Sequence, residues 1–413
     1  MPASHNHRYS ADASGKTVLE RGKPTAASAV TSDKTIEQHY ALPFQAHMTP
    51  EPMNCTAQVQ KDRVRVWAPT QSPTSARSNT IQALRSLGGD WALASDDELA
   101  LRIEVNTTLL GGGFGRRILQ DYVTQAVKIA ARFEQPVQLA WPRDEDVQHD
   151  FYHPFTLHHM SGVLDENGLP GVWRHRIAGL EIDPYGADKL PYEIPQVKVE
   201  LLRLETPVPI GPWRSVSHHY HTFAVEHFFD ALARAGQRDP LELRLKLLTE
   251  PRLKQALEIA AESAGWTNQN NPRYLGCAVH SSFGSHVAEI VELLKDGPEL
   301  RVGKITCVAD CGQVINPDSL KAQMEGAIVF GLGAALKPPI TLKGGRVVQS
   351  NFHDTPILRF QETPDIEVIL VPSHQDPGGA GEPGVPPLAP ALANALLAAT
   401  GQSSDGLPVR DIK

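Results

Sequence analysis

The sequence predicts an α+β fold, because strand patterns and helix patterns alternate in long blocks along a chain of 413 residues. Short extended segments broken by prolines fill residues 35–80, and further short strands follow to about residue 204. Three helices then follow in series, and a second region of strands and helices begins after Tyr274. A chain of this length is large enough for two or three domains.

The most informative segment is the glycine-rich loop from Gly111 to Gly115. Residues 101–106 before it alternate apolar and polar side chains, which predicts a strand. Residues 118–133 after it place apolar side chains on one stripe, which predicts a helix. Backbone N–H groups at such a helix start can bind an anion or a polar oxygen. Arg116 and Arg117 in that first turn oppose the helix dipole, which indicates a negatively charged ligand.

The glycine spacing excludes the common nucleotide-binding loops. A dinucleotide-binding loop needs G-x-G-x-x-G, and counting from Gly111 or Gly113 leaves no glycine at the last position. No Lys-Ser or Lys-Thr pair follows, which excludes a nucleoside-triphosphate loop. The chain also contains no G-x-S-x-G, H-E-x-x-H or set of kinase motifs. A tight turn with a packing glycine stays open as the alternative.

Composition and charge argue against several broad classes of protein. The net charge of −8 argues against nucleic acid as the main partner. No apolar run reaches the roughly 18 residues of a membrane span. Four cysteines, at 55, 277, 307 and 311, lack the spacing of an iron–sulfur or redox motif, which predicts buried thiols. Residues 1–40 begin with a polar stretch that lacks the apolar segment of a signal peptide, which predicts a flexible lead-in.

Capping residues predict the later helices. The helices predicted in this way are 223–235, one opened by Asp239-Pro240, 251–264, 318–336 and about 387–400. The predicted helix 318–336 contains glycines at 326, 331 and 333. Each of them destabilises the helix by about 1 kcal/mol relative to alanine. Close approach of a backbone or a ligand would explain their presence.

Two side chains in these regions are candidates for chemistry. Glu382 lies in the glycine-rich segment 377–384 just before the last helix, where it can face a cofactor and act as a general base. A helix-capping carboxylate is the alternative. Gln323 lies in the glycine-bearing helix, and its amide either faces solvent or serves a ligand, because burying it unpaired is costly.

A third candidate is the loop 211–215, which contains Trp213 and Arg214 and is followed by histidines at 218, 219 and 221. A histidine metal site is one interpretation. No carboxylate or cysteine lies at a zinc-like spacing, so histidines that line a surface or pack against polar loops are favoured. The charged run 142–146 is predicted to be a solvated turn.

Together these segments resemble the molybdenum hydroxylases, the superfamily of xanthine dehydrogenase and aldehyde oxidase. The match is closest to the C-terminal half of the isoquinoline 1-oxidoreductase beta subunit and of its aldehyde dehydrogenase relatives. It runs from about residue 40 to the end. The segments that carry it are 51–56, 67–71, 109–117, 148–152, 211–216, 310–312, 316–317, 323–336, 351–353 and 381–394.

The resemblance implies two molybdopterin-binding domains with mixed sheets, at residues 41–248 and 249–413, as in the molybdenum-binding part of xanthine dehydrogenase. It implies Glu382 as the general base, and molybdenum that is held through the pterin without a direct protein ligand. The cofactor implied is molybdopterin cytosine dinucleotide. The implied cofactor-binding residues are Gly112, Gly113, Phe114, Gly115, Arg116, Arg214, Gln323 and Gly381.

The activity implied is hydroxylation of an N-heterocycle such as isoquinoline, or oxidation of an aldehyde, with water as the oxygen source. Electrons are then expected to leave through a small partner subunit with [2Fe-2S] clusters. No nucleic acid partner and no membrane span are expected. The compartment implied is cytoplasmic or, with an exported partner, periplasmic.

The chain departs from this family in length, because the family's beta subunits carry an extensive region before the part matched here. A truncated product, one half of a split subunit with the rest on another chain, or an inactive remnant that acts in assembly are therefore the alternatives. A carbohydrate- or peptide-binding module is disfavoured by the Gly-Glu-Pro segment at 381–383.

Overall fold

The computed structural model describes residues 15–22, 35–267, 273–296, 299–410 and 412. The strands are β1 (Lys16–Arg21), β2 (Thr35–Leu42), β3 (Asn54–Val59), β4 (Val64–Ala68), β5 (Ile103–Thr107), β6 (Val137–Ala140), β7 (Thr156–Leu164), β8 (Pro170–Leu180), β9 (Gln196–Leu204), β10 (Arg273–Ser282), β11 (Ser285–Asp296), β12 (Glu299–Asp310), β13 (Leu342–Lys343), β14 (Arg346–Val347) and β15 (Asp365–Leu370). The helices are α1 (Pro73–Arg85), α2 (Asp90–Leu93), α3 (Asp96–Arg102), α4 (Asp121–Ala130), α5 (Arg143–Gln148), α6 (Ser217–Ala235), α7 (Pro240–Leu247), α8 (Pro251–Ala264), α9 (Pro317–Leu336) and α10 (Leu388–Thr400).

The larger sheets are all mixed, which confirms the predicted α+β class. The first has the order β1-β9-β8-β7-β2, with β8 and β9 parallel. The second has the order β5-β4-β3-β6, with β4 and β5 parallel. The third has the order β10-β11-β12-β15, with β12 and β15 parallel. A short β13-β14 hairpin stands apart from them.

The predicted lead-in over residues 1–40 contains ordered strands. β1 pairs with β9, and the first residues of β2 pair with β7. The alternation of exposed and half-buried residues along β2 is the strand signal that the polar composition obscured. The rest of the predicted lead-in, residues 1–14 and 23–34, lies outside the described residues.

The helix ends confirm the predictions from capping residues. The Asp239 side chain accepts hydrogen bonds from the backbone nitrogens of Leu241 and Glu242, at 2.8 and 3.0 Å, and opens α7. Asn316 caps α9 in the same way, with a bond of 3.0 Å from the Ser319 nitrogen. Gly265 and Gly401 end α8 and α10 in the left-handed conformation, where glycine is least strained.

The structure differs from prediction at three helix starts. A 3₁₀ turn at Arg116–Ile118 follows the glycine loop, so α4 begins at 121 and not at 118. α6 begins at 217, six residues before its predicted start, because its first turn is packed by buried histidines and not by an apolar stripe. Residues 143–146 of the predicted solvated turn form the start of α5. Asp144 and Glu145 are exposed, as predicted, but Asp146 is buried and accepts a hydrogen bond of 2.8 Å from Arg143.

The largest hydrophobic core contains residues from β2, β7–β9, α6–α8, the third sheet and α10. It therefore crosses the predicted domain boundary near residue 249, and that boundary stays a prediction. A second core lies between the second sheet and helices α1 and α4. Within the described part of the chain, no helix combines the length and apolarity that a membrane crossing requires.

Glu289 is a fully buried carboxyl group on β11, directly opposite Cys307 of β12. Among the described residues, neither of its oxygens has a nitrogen or oxygen partner for a hydrogen bond. Burial raises the pKa of Glu289 well above its usual value, and the Cys307 thiol opposes only part of the rise. The folded chain therefore holds a proton that the unfolded chain releases above about pH 4.5.

We expect Glu289→Gln to change stability little near pH 4.5 and to stabilise the fold by about 2 kcal/mol at pH 8. The sign follows because a raised folded-state pKa makes the wild type lose stability as pH increases. Urea unfolding of both proteins between pH 4.5 and 8 measures this difference. The surface variant Glu258→Gln is the control, and a wild-type-like pH dependence in Glu289→Gln would contradict the expectation.

Candidate functional site

Two side chains, those of Glu51 and Gln71, hold the ends of the glycine loop by hydrogen bonds. The Glu51 carboxylate accepts a hydrogen bond of 2.8 Å from the Gly111 nitrogen, and the two residues also pair through their backbones. The Gln71 side-chain oxygen accepts hydrogen bonds from the nitrogens of Gly115 and Arg117, at 3.1 and 3.3 Å. These bonds fix the two ends of the loop.

The middle of the glycine loop has backbone N–H groups without an acceptor in the residues described. Within the described part of the chain, the backbone N–H groups of Gly112, Gly113 and Phe114 donate to no acceptor. Phe114 has a φ of +55°, a left-handed conformation that is uncommon for any residue other than glycine. Consecutive free N–H groups in such a segment form a concave site for an anion or a polar oxygen.

The Arg116 side chain pairs with carboxylates of the protein, and its predicted cofactor contact stays a prediction. Its side chain is buried and makes two 2.8 Å hydrogen bonds to Asp121 and an ion pair of 3.1 Å with Asp150. Arg117 is buried as well and donates to the carbonyl oxygens of Gly112 and Glu51, both at 2.7 Å. Arg117 also forms an ion pair of 2.9 Å with the Glu51 carboxylate. Carboxylates of the protein therefore neutralise the two charges that had indicated a ligand.

Phe114 connects the loop to the glycine-bearing helix. Its ring stacks on Phe330 of α9, with ring centroids 4.5 Å apart. The ring of Trp213 also contacts Phe330, with centroids 4.5 Å apart. Phe330 therefore joins the glycine loop to the loop that contains Arg214. Such aromatic pairs stabilise a contact beyond the area they bury.

The loop before α6 is strained. Ser215 and Val216 both have positive φ, at +77° and +44°, and a β-branched residue such as valine is a true outlier there. Strain of this kind persists only where surrounding contacts over-determine the backbone, and it concentrates at functional sites. One of these contacts is a 2.6 Å hydrogen bond from the Ser215 hydroxyl to the Glu382 carbonyl oxygen.

Arg214 brings three of the predicted site residues together. Its Nε donates to the Gly381 carbonyl oxygen at 2.7 Å, and its Nη2 donates to the Gln323 side-chain oxygen at 3.1 Å. Burial lowers the pKa of Arg214 to about 10, and the charge of the Glu382 carboxylate opposes this effect. The guanidinium is therefore cationic at neutral pH, close to the predicted general base.

Open space lies beside this cluster. A Cβ added at Gly381 would meet no atom within 4 Å, and one added at Gly326 would meet only Arg214 Nη1, at 3.7 Å. At Gly331, by contrast, an added Cβ would lie 3.0 Å from the Leu388 side chain of α10. Of the three glycines in α9, one therefore serves helix packing, and Gly326 borders the space that Arg214 faces.

The histidines after this loop are buried, or half-buried in the case of His218, and each pairs with a histidine from elsewhere in the chain or with backbone. His219 faces His153 at 3.2 Å, and His218 faces His280 at 2.8 Å. Desolvation lowers the pKa of each of these four imidazoles. In the described ranges, histidine, cysteine, aspartate and glutamate side chains form no group of three or more suited to a metal ion. The four cysteines are free and buried, as predicted.

Sequence reasoning missed Glu51, Gln71, Ser215 and Phe330 as parts of this site. Each lies in one of the segments that carry the family resemblance, and that position was the available signal. Their contacts join residues far apart in the chain, so no local pattern predicts them. Glu382 itself is half-buried. Its role as a base, like the cofactor contacts of the glycine loop, stays a prediction.

Comparisons with known proteins point to one cofactor. Two family models, both described as molybdopterin cofactor-binding domains, match residues 9–178 and 228–364. The beta subunit of isoquinoline 1-oxidoreductase from Brevundimonas diminuta is 29% identical over 403 residues, which cover 91% of this chain. A nicotinate dehydrogenase subunit from Pseudomonas putida is 27% identical over 438 residues, which cover 95%. The matches span 50% and 36% of those two relatives.

Solved structures show the same fold. Quinoline 2-oxidoreductase from Pseudomonas putida 86 superposes with a TM-score of 0.81 over 96% of this chain and 77% of that one, at 14% identity. Aldehyde oxidoreductase from Desulfovibrio gigas superposes with a TM-score of 0.78 over 94% of this chain and 62% of that one, also at 14% identity.

Proposed function

This chain belongs to the molybdenum hydroxylase superfamily, and from that premise we propose that it is the cofactor-binding part of a catalytic subunit. The proposed reaction is hydroxylation of an N-heterocycle such as isoquinoline, or oxidation of an aldehyde, with water as the oxygen source. The observation that carries the proposal is the convergence of Arg214, Gln323 and Gly381 beside open space, with Glu382 next in the chain.

The residues present fit a pterin cofactor by their donor chemistry. The free N–H groups at residues 112–114 suit a polar oxygen, and the Arg214 cation suits an anionic group such as a phosphate. Gln323 adds a side-chain amide, and Gly381 leaves room for a bound group to approach the backbone. Arg116 has no part in this fit, because carboxylates of the protein already surround it.

The bound cofactor would supply two-electron redox chemistry and an electrophilic metal centre. The protein's own part is to hold that group and to move one proton. Arg214 and Ser215 bond to the carbonyl oxygens of Gly381 and Glu382, so they fix the backbone and leave the Glu382 carboxylate free to accept a proton.

We further propose a molybdopterin cytosine dinucleotide cofactor and a small partner subunit with [2Fe-2S] clusters. The isoquinoline and nicotinate enzymes named above are both built from more than one kind of subunit, which supports a complex of several chains. The chain spans half or less of those relatives, so one half of a split subunit, or an assembly partner without activity, is the second candidate. The compartment proposed is the cytoplasm, or the periplasm with an exported partner.

Metal and nucleotide analysis of the purified chain tests the proposal. We expect about one molybdenum and one cytosine nucleotide per chain, either when the chain is expressed alone or only with a partner chain. The first result would mean that this chain holds the cofactor, and the second would indicate a split subunit. Absence of molybdenum and nucleotide from both preparations would contradict the enzyme and favour the assembly partner.

A further inference from the structure

The carbonyl group of Pro212 is the point where the glycine loop, residues 111–115, meets the Arg214 loop, residues 211–215. A Cβ added at Gly115 would lie 1.8 Å from this oxygen, so only glycine permits the glycine loop to pass over it. On another side, His47 Nε2 lies 2.8 Å from the same oxygen. Pro212 is two residues before Arg214, so its carbonyl group fixes the start of the strained turn.

His47 is held in place by Asp150. The imidazole is almost completely buried, and its Nδ1 lies 2.8 Å from Asp150 Oδ1. The backbone nitrogen of His47 also donates to Asp150 Oδ2, at 2.7 Å. Both ring nitrogens face acceptors, since a carboxylate and a peptide carbonyl have no hydrogens to donate. We therefore assign hydrogens to both nitrogens on the basis of these partners.

Asp150 in turn connects His47 to the glycine loop. Arg116, the residue after Gly115, lies 3.1 Å from Asp150 Oδ1 through its Nε. Burial raises the pKa of Asp150, but the charges and hydrogen bonds of His47 and Arg116 outweigh it and hold the pKa below its usual value. Asp150 is therefore a buried anion that lies between His47, which contacts the Arg214 loop, and Arg116, which follows the glycine loop.

We propose that His47, oriented by Asp150, is a positioning residue that holds the Arg214 loop against the glycine loop. Ser215 and Val216 need external restraints to keep their left-handed backbone. The bond from Ser215 to Glu382 is one of them, and the bond of His47 to the Pro212 carbonyl, three residues before Ser215, is another. When the restraint is lost, the Arg214 side chain is no longer held in position for its hydrogen bonds to Gln323 and Gly381. The consequence for cofactor retention rests on the proposed function, whereas the restraint on the loop does not.

Two substitutions of His47 separate its two hydrogen bonds. In His47→Gln the side-chain amide nitrogen occupies the place of Nε2 and can still donate to Pro212. In His47→Asn the shorter amide occupies the place of Nδ1, so it keeps the bond to Asp150 and loses the one to Pro212. His39→Asn, at an exposed position of β2, is the matched control.

The first measurement is backbone amide exchange by mass spectrometry, which needs no cofactor. We expect about tenfold faster exchange in residues 211–219 for His47→Asn, and rates near wild type for His47→Gln and His39→Asn. Equal protection in all variants, or equal loss in both His47 variants, would overturn the proposal. If His47→Asn does not fold, Asp150→Asn replaces it and is expected to show the same increase.

The second measurement is molybdenum and nucleotide content per chain. We expect His47→Asn to retain about one tenth of the wild-type content and His47→Gln to retain most of it. Wild-type content in His47→Asn would overturn the link to the cofactor. A wild-type chain with no cofactor, both alone and with a partner chain, but with the expected exchange pattern, would contradict the proposed function and support the positioning role of His47.

Discussion

Replacing Glu382 by glutamine is expected to remove turnover while the molybdenum content stays at the wild-type level. The loop that contains Glu382 is held through backbone oxygens, since Arg214 bonds to the Gly381 carbonyl and Ser215 to that of Glu382. An amide side chain therefore preserves the loop but cannot accept the proton. We expect kcat to fall by about 10²–10⁴-fold, the usual contribution of a general base.

The measurement is steady-state oxidation of isoquinoline and of an aldehyde by the assembled enzyme, with molybdenum determined in the same samples. Glu166→Gln, in the exposed turn between β7 and β8, is the control for loss of a surface carboxylate. Activity above a tenth of wild type in Glu382→Gln would contradict the base assignment. Loss of molybdenum together with activity would instead indicate a role in cofactor binding.

Gly115→Ala is expected to produce the largest loss of stability among substitutions at the site. The added methyl group would lie 1.8 Å from the Pro212 carbonyl oxygen, and the backbone φ of +105° is itself unfavourable for alanine. The neighbouring atom is peptide backbone held by His47, so it cannot move aside cheaply. We expect the free energy of unfolding to fall by about 3–5 kcal/mol.

Urea unfolding of the purified chain measures this change. Gly401→Ala separates the backbone strain from the steric contact. Gly401 also has a positive φ, +73°, but a Cβ there would meet no atom within 4 Å. It should cost only about 1 kcal/mol of backbone strain. Equal losses in the two variants would show that the contact with Pro212 has no energetic consequence.

Local signals in the sequence predicted much of the secondary structure. Asp239-Pro240, Asn316-Pro317 and the stop glycines at 265 and 401 mark helix ends where the structure has them. These signals work because a cap satisfies backbone groups within three or four residues of itself. The mixed sheets, the family and the four buried thiols were likewise predicted.

The charged residues were the least predictable from sequence. Arg116 and Arg117 follow a glycine loop and suggested an anionic ligand, but their partners are Asp121, Asp150 and Glu51. A sequence shows the charge of a side chain and not what lies opposite it. Burial of a cation requires a nearby anion, and the anion can come from any part of the chain.

The sequence by itself determined the helix caps, the strand patterns, the glycine loop and the family, because these depend on residues that are near one another in the chain or on whole motifs. Only the tertiary structure decided which groups meet at the site. His47 and Pro212 are 165 positions apart, and Arg214 and Gly381 are 167 apart. Such contacts form because the packed cores fix where the loops approach each other, and hydrogen bonds with ångström tolerances then select the partners.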